Sequence, residues 1–174
     1  MPIVETENLT HIFPDGTIAI QDISLKINKG EFVVIAGANG SGKTVFARHL
    51  NGLLKPTKGS VLIDGKPITE NIIEARRKVG LVFQNPDSQI VGQTVAEDVA
   101  FGPENLNLPA NQVKAVVKES LEAVGLSRFS TRSPHTLSGG EKRKLAIAGI
   151  LAMKPKVIIF DEPFTGLDYP GVVQ

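Results

Sequence analysis

The residues with the clearest chemistry are Gly37-Ala38-Asn39-Gly40-Ser41-Gly42-Lys43-Thr44, a full match to GxxxxGKT. Glycines at this spacing let successive backbone N–H groups turn inward around phosphate oxygens, and a helix starting there favours negative charge. Lys43 is placed to reach β- and γ-phosphates, and the Thr44 hydroxyl to ligate magnesium. Gly37, Asn39, Gly40, Ser41, Gly42, Lys43, Thr44 and Val45 are therefore the candidate phosphate-binding residues. A chance glycine turn is the alternative, but the match sits between an apolar run and a helix-like run, the context the motif requires. Downstream, Asp161 and Glu162 close the apolar run Val157-Ile158-Ile159-Phe160. Asp161 is suited to hold magnesium, directly or through water. Glu162 is suited to orient or deprotonate an attacking water. Two acids at an ordinary strand end would look the same in isolation.

These groups need elements to hold them. Residues 3–13 and 18–27 read as two strands around the turn Pro14-Asp15-Gly16. Ile23, Leu25 and Ile27 alternate with Ser24 and Lys26, the pattern of a half-buried antiparallel strand. Glu31-Phe32-Val33-Val34-Ile35-Ala36 is nearly all apolar and suits a central strand covered on both faces. A helix is expected over 42–50, a strand over 59–64 closed by Asp64-Gly65, a short helix over 70–78 and a buried strand over 79–83. Residues 85–134 are rich in helix formers. Val113, Val116, Val117, Leu121 and Val124 recur at helical spacing, with Gly125 as the stop. Another helix is expected over 141–153, followed by the strand that ends in Asp161-Glu162.

At 174 residues and 41% hydrophobic, the chain suits one domain with a real core. Nineteen basic residues against 18 acidic ones give no general attraction to nucleic acid or to an acidic membrane surface. Absence of cysteine excludes disulfide and thiolate chemistry. No apolar run approaches the roughly 20 residues that span a bilayer. The first residues lack the basic-then-apolar order of a secretory signal.

With further segments the chain resembles the ATP-binding subunits of ABC transporters. Leu137-Ser138-Gly139-Gly140-Glu141 is similar to the LSGGQ signature, with Glu141 in place of glutamine. Gln84 stands after the 79–83 strand where the family has its Q-loop glutamine. Gly166-Leu167-Asp168 is similar to the D-loop, and Phe13 lies upstream of the glycine loop where the family has an aromatic. The resemblance covers essentially the whole chain. It implies an α/β fold: a P-loop NTPase ABC ATPase core with an N-terminal antiparallel β subdomain and an inserted helical subdomain. One ABC ATPase domain over 1–174 is implied, with its C-terminal part missing. Within it, 1–84 and 154–174 form the nucleotide-binding core and 85–153 the helical subdomain with the signature helix.

The resemblance also assigns roles. Phe13 would stack on adenine, Gln84 would touch magnesium or the attacking water and sense a membrane partner, and Asp168 would link paired subunits. Ser138, Gly139 and Gly140 would bind the γ-phosphate of ATP held by the opposite subunit. ATP and Mg2+ are the implied ligands, with Thr44, Gln84 and Asp161 around the metal and Glu162, Gln84 and Lys43 as the catalytic set. Each role has a plainer rival: a core aromatic at Phe13, a solvated amide at Gln84, a helix cap at Ser138 and a turn acid at Asp168. Glu141 is expected to be tolerated by facing solvent. His49 and His135 read as structural and loop residues, respectively.

Phe83-Gln84-Asn85-Pro86-Asp87-Ser88-Gln89 and residues 95–102 resemble the energy-coupling-factor group and the related cobalt and nickel importers. That implies a second ATPase subunit, a transmembrane coupling protein and a substrate-binding membrane protein as partners, with no nucleic acid. It also implies peripheral attachment to the cytoplasmic face of the cell membrane and a vitamin or transition-metal cargo. Ile90, Val91 and Val95 fit either a groove for a coupling helix or the core. The family's switch histidine normally follows the D-loop, and no histidine follows Asp168 here. Truncation is therefore expected, leaving open a nucleotide-binding fragment without turnover. A soluble non-transport ABC ATPase is the remaining alternative.

Overall fold

The computed structural model describes residues 1–162, so Asp168 and the D-loop lie outside the described residues. The chain packs as two compact units, Met1–Leu81 and Val82–Gln174.

The first unit is built on an antiparallel sheet of order β2-β1-β3-β4. Strands β1 (Pro2–Ile12) and β2 (Ile18–Asn28) form the hairpin expected around Pro14-Asp15-Gly16. The register pairs Glu5 with Lys26 and Leu9 with Ile23. Along β2, Ile23, Leu25 and Ile27 are half-buried while Ser24 and Lys26 are exposed, as the alternation requires. Strand β3 (Lys58–Ile63) pairs with the other edge of β1 and turns into the short β4 (Lys66–Pro67). The two-residue turn Asp64-Gly65 has φ +57° and +74°, the left-handed pair that matches strand twist in tight hairpins.

Helix α1 (Lys43–Leu50) packs against β2 and β3. Its Phe46, Ala47 and Leu50 join Val4, Leu9, Val61 and Ile63 in the buried set. Helix α2 (Ile72–Lys78) starts at Asn71, whose side chain accepts the Glu74 N–H, and β5 (Val79–Val82) follows, buried throughout.

One expectation fails. Residues 31–36 form no strand, and Phe32 and Val34 are 92% and 73% exposed. An apolar run supplies a reason for burial, but a strand also needs a neighbour whose N–H and C=O groups complete its ladder. Among the described residues, no strand pairs with this segment.

The second unit is mainly helical. Helices α3 (Val95–Asn105), α4 (Ala110–Ala123) and α5 (Gly139–Ala152) pack on one another. Thr94 and Glu97 make a reciprocal cap at the start of α3. The α4 periodicity holds: Val113, Val116 and Leu121 are buried, and Gly125 follows the helix at φ +71°. The core joins Val95, Val99, Val116, Leu121, Leu126, Phe129, Leu137 and Leu145. Fully burying a side chain of this size contributes roughly 1.5–3 kcal/mol. Val95 thus belongs to the core and Ile90 packs against it, whereas Val91 stays 62% exposed. Strand β6 (Val157–Phe160) leads into Asp161, whose N–H donates to Val82 O at 3.0 Å within this unit. No helix among the described residues is long and apolar enough to cross a membrane.

Candidate functional site

In the first unit, the glycine loop runs into α1 through Gly42. This residue occupies the N-cap position at φ +88° and offers no side-chain cap. A Cβ there would come within 2.5 Å of Ala19 O and 2.6 Å of Ile20 Cγ2, so both conformation and space require glycine. The helix N-terminus, with its partial positive charge, thus opens onto bare loop backbone. Lys43 folds over that loop: its Nζ donates to Gly37 O at 3.0 Å and Ala38 O at 2.9 Å. Ser41 N–H donates to Ala38 O at 3.2 Å, closing a turn inside the loop. Gly37 to Ser41 are exposed, while Thr44 and Val45 are half-buried on the first turn of α1.

Phe13 is also in this unit, at the hairpin turn. Its N–H donates to Thr17 O and its C=O accepts from Gly16 N–H, both at 2.9 Å. The side chain is 37% exposed, so it is not a core aromatic.

In the second unit, Gln84 and Glu162 come together although 78 residues separate them. Gln84 Nε2 donates to Glu162 Oε2 at 2.8 Å. Glu162 has φ +49°, a left-handed conformation unusual for a residue of its type. Asp161 precedes it, its backbone held by Val82 as described.

The start of α5 carries the signature. Ser138 is its N-cap and forms a reciprocal cap with Glu141. Ser138 N–H and Oγ–H both donate to Glu141 Oε2, at 2.8 and 2.9 Å, and Glu141 N–H returns to Ser138 Oγ at 3.3 Å. Glu141 therefore does not simply face solvent. It is half-buried and bound to the signature serine. Those bonds, backbone first, hold its carboxyl below the ordinary glutamate range, and Arg128 and Arg132 add a smaller attraction. Both guanidiniums lie 4.6 Å from the Phe129 ring centroid. Gly139 and Gly140 form the first turn.

Sequence reasoning missed two contacts that tie this helix to the Gln84 segment. Lys142 Nζ meets Asp87 Oδ1 at 2.7 Å, and Arg143 Nη2 donates to Gln84 O at 3.2 Å. It also missed Asp98, which is 8% exposed and whose Oδ1 accepts the N–H groups of Val91 at 2.7 Å and Gly92 at 2.9 Å. The signal was present for Asp98. It falls beside Val95 and Val99 on the core-facing side of α3, where an acid must find donors. Lys142 and Arg143 carried no such signal, since cations after a signature read equally well as a solvated face.

Residues 20–165 match the family model described as ABC transporter. The chain is 55% identical over 174 residues to the energy-coupling factor transporter ATP-binding protein EcfA of Methanocaldococcus jannaschii, covering 98% of this chain and 62% of that protein. It is 53% identical over 169 residues to the protein of the same name from Methanothermobacter thermautotrophicus, covering 95% of this chain and 54% of that one. The chain thus spans little more than half the length of these curated relatives. Among solved structures, cbiO1 from Clostridium perfringens, described as part of the ABC transporter complex cbiONQ, is 40% identical with a TM-score of 0.88. That match covers 99% of this chain and 70% of the other.

Proposed function

Given a chain that belongs to the ABC transporter ATP-binding proteins of the energy-coupling-factor type, we propose that it binds ATP and, in its complete protein, hydrolyses it to drive import through a membrane partner. The observation that carries this reading is the bare, glycine-built entry into α1 with Lys43 folded over it. An anion arriving there meets the helix N-terminus and an ammonium that has only to exchange carbonyl oxygens for phosphate oxygens.

A P-loop ABC ATPase fold implies ATP and Mg2+ as ligands. Mg2+ is usually held by one or two protein oxygens with phosphates and water; Thr44, Asp161 and Gln84 carry oxygens of that kind and would be its ligands. When bound, the ion neutralises phosphate charge. Lys43 and the loop glycines would hold the phosphates, and Glu162, oriented by Gln84, would position the attacking water. Ser138, Gly139 and Gly140 would meet the nucleotide of a second ATPase subunit, and Asp168 would join the pair. Phe13 would stack on the base. A transmembrane coupling protein and a substrate-binding membrane protein would complete the complex at the cytoplasmic face of the membrane, carrying a vitamin or a transition-metal ion.

The test is titration of the purified chain with Mg2+ and ATP, alongside Lys43→Ala and Glu162→Gln. Binding that Lys43→Ala weakens at least tenfold, with phosphate release lost in Glu162→Gln, supports the reading. Saturable binding with no phosphate release from the wild-type chain would make it a binding module. No difference between wild type and Lys43→Ala would overturn it.

A further inference from the structure

His11, Phe13 and His49 form a continuous stack inside the first unit, and the roles above use only Phe13. His11, near the end of β1, meets Phe13 edge to face, with ring centroids 4.9 Å apart and planes at 86°. On its other side it meets His49 with centroids 4.8 Å apart and planes at 69°. His49 lies on α1, the helix that leaves the glycine loop, and is wholly buried.

Hydrogen bonds fix both imidazoles. His49 Nδ1 is 2.7 Å from Val45 O, and His11 Nδ1 is 3.3 Å from Lys55 O. A carbonyl only accepts, so Nδ1 carries the proton in each ring. In its neutral form His49 then presents a bare Nε2 lone pair, and that atom has no partner in the buried interior. A plain core position would be served as well by an apolar residue, without an orphaned nitrogen. What the imidazoles add is a rigid train of aromatic edges, each locked by a backbone carbonyl, running from α1 to an exposed ring.

We propose that His11 is a positioning residue for the purine base: it holds the Phe13 ring upright as a stacking platform and braces that platform, through His49, on the helix that follows the phosphate loop. This rests on the reading that Phe13 stacks on the base. The backbone turn at Phe13 fixes where the residue sits, but among the described residues His11 is the aromatic partner that sets the tilt of its ring. An edge-to-face neighbour leaves the opposite face of Phe13 open to a flat ligand.

The experiment compares ATP with inorganic tripolyphosphate, a probe with phosphates and no base, by calorimetric titration with Mg2+. Wild type, His11→Ala, His11→Phe and Phe13→Ala are measured, with circular dichroism melts checking that each folds. His11→Ala is expected to weaken ATP about threefold to tenfold, the loss of one aromatic edge pair, and to leave tripolyphosphate unchanged. His11→Phe, which keeps an aromatic edge, restores ATP affinity. Equal weakening of both ligands, no weakening of ATP, or no rescue by His11→Phe overturns the proposal. If Phe13→Ala leaves ATP affinity unchanged, the stacking reading itself falls and the positioning role with it. If Phe13→Ala weakens ATP and His11→Ala does not, only the positioning role falls.

Discussion

Replacing the buried Asp98 of α3 with alanine is expected to destabilise the second unit. Asp98 Oδ1 accepts two backbone N–H groups, from Val91 and Gly92, and the residue is 8% exposed. Hydrogen bonds to a charged acceptor contribute roughly 1.5–3 kcal/mol each. Val91 is 62% exposed, so water can replace part of what its N–H loses, and the total falls to about 2–4 kcal/mol. The fit at Gly92 sharpens the point. A Cβ there would lie 2.3 Å from Asp98 N, so the segment is seated directly on the first turn of α3. Asp98→Asn keeps an acceptor oxygen while removing the charge, and should cost about 1 kcal/mol, the difference between a charge-assisted and a neutral hydrogen bond. Urea unfolding followed by circular dichroism measures both variants. For a chain of this size the alanine variant should melt about 4–15 °C below wild type. Cleavage between Asn85 and Gln93 under limited proteolysis should rise in parallel. An Asp98→Ala protein within about 0.5 kcal/mol of wild type would refute the reasoning, since a surface substitution costs no more than that.

His49 gives a pH signature. Burial holds its pKa below the ordinary histidine value, with nearby His11 adding to the effect and the bond to Val45 O opposing it. The unfolded chain therefore binds the proton first as pH falls, and stability is lost from about pH 6.5 down towards the lower folded value, at no more than about 1.4 kcal/mol per pH unit. His49→Leu should flatten that part of the profile, and parallel urea-midpoint curves for the two proteins would contradict it. Gly42→Ala should weaken ATP binding at least tenfold and lower the melting temperature, because a left-handed alanine costs about 1–2 kcal/mol before its contacts with Ala19 and Ile20 are counted; unchanged calorimetric affinity would exclude this. A double-mutant cycle on Lys142 and Asp87 should return a coupling of about 0.5–1 kcal/mol in urea unfolding, the range of a partly exposed pair. Additive losses would dissolve the pair.

Local patterns carried much of the fold. The first hairpin was readable because alternation and a turn sequence specify it within a short stretch, and α4 because its valines repeat at helical spacing. Phe32 to Ile35 were not, because whether an apolar run becomes a strand depends on a neighbour that the run itself does not encode. The glycine-built entry into α1 was legible because the left-handed turn at Gly42 and the lack of space there dictate glycine. The roles of Asp98, Glu141 and His11 were hidden for a common reason: each is defined by a partner, and a lone acid or imidazole in a sequence does not announce one. Sequence alone suggests that Glu141 is tolerated by facing solvent, whereas a carboxylate three residues into a helix completes the cap on Ser138.

The link between Lys142, Arg143 and the Gln84 segment has a mechanical consequence. An α-helix is stiff along its axis, and Arg143 stands five residues beyond Ser138, about 7.5 Å along α5 at the usual rise. A force that displaces the Gln84 carbonyl acts on Arg143, and the rod carries it to the serine at its tip with little loss. Lys142 and Asp87 provide a second attachment close by, which resists twisting about the first. Two anchors and a short rod make a lever, so a push on the segment around Gln84 would re-aim the Ser138 end instead of being absorbed as local loop motion.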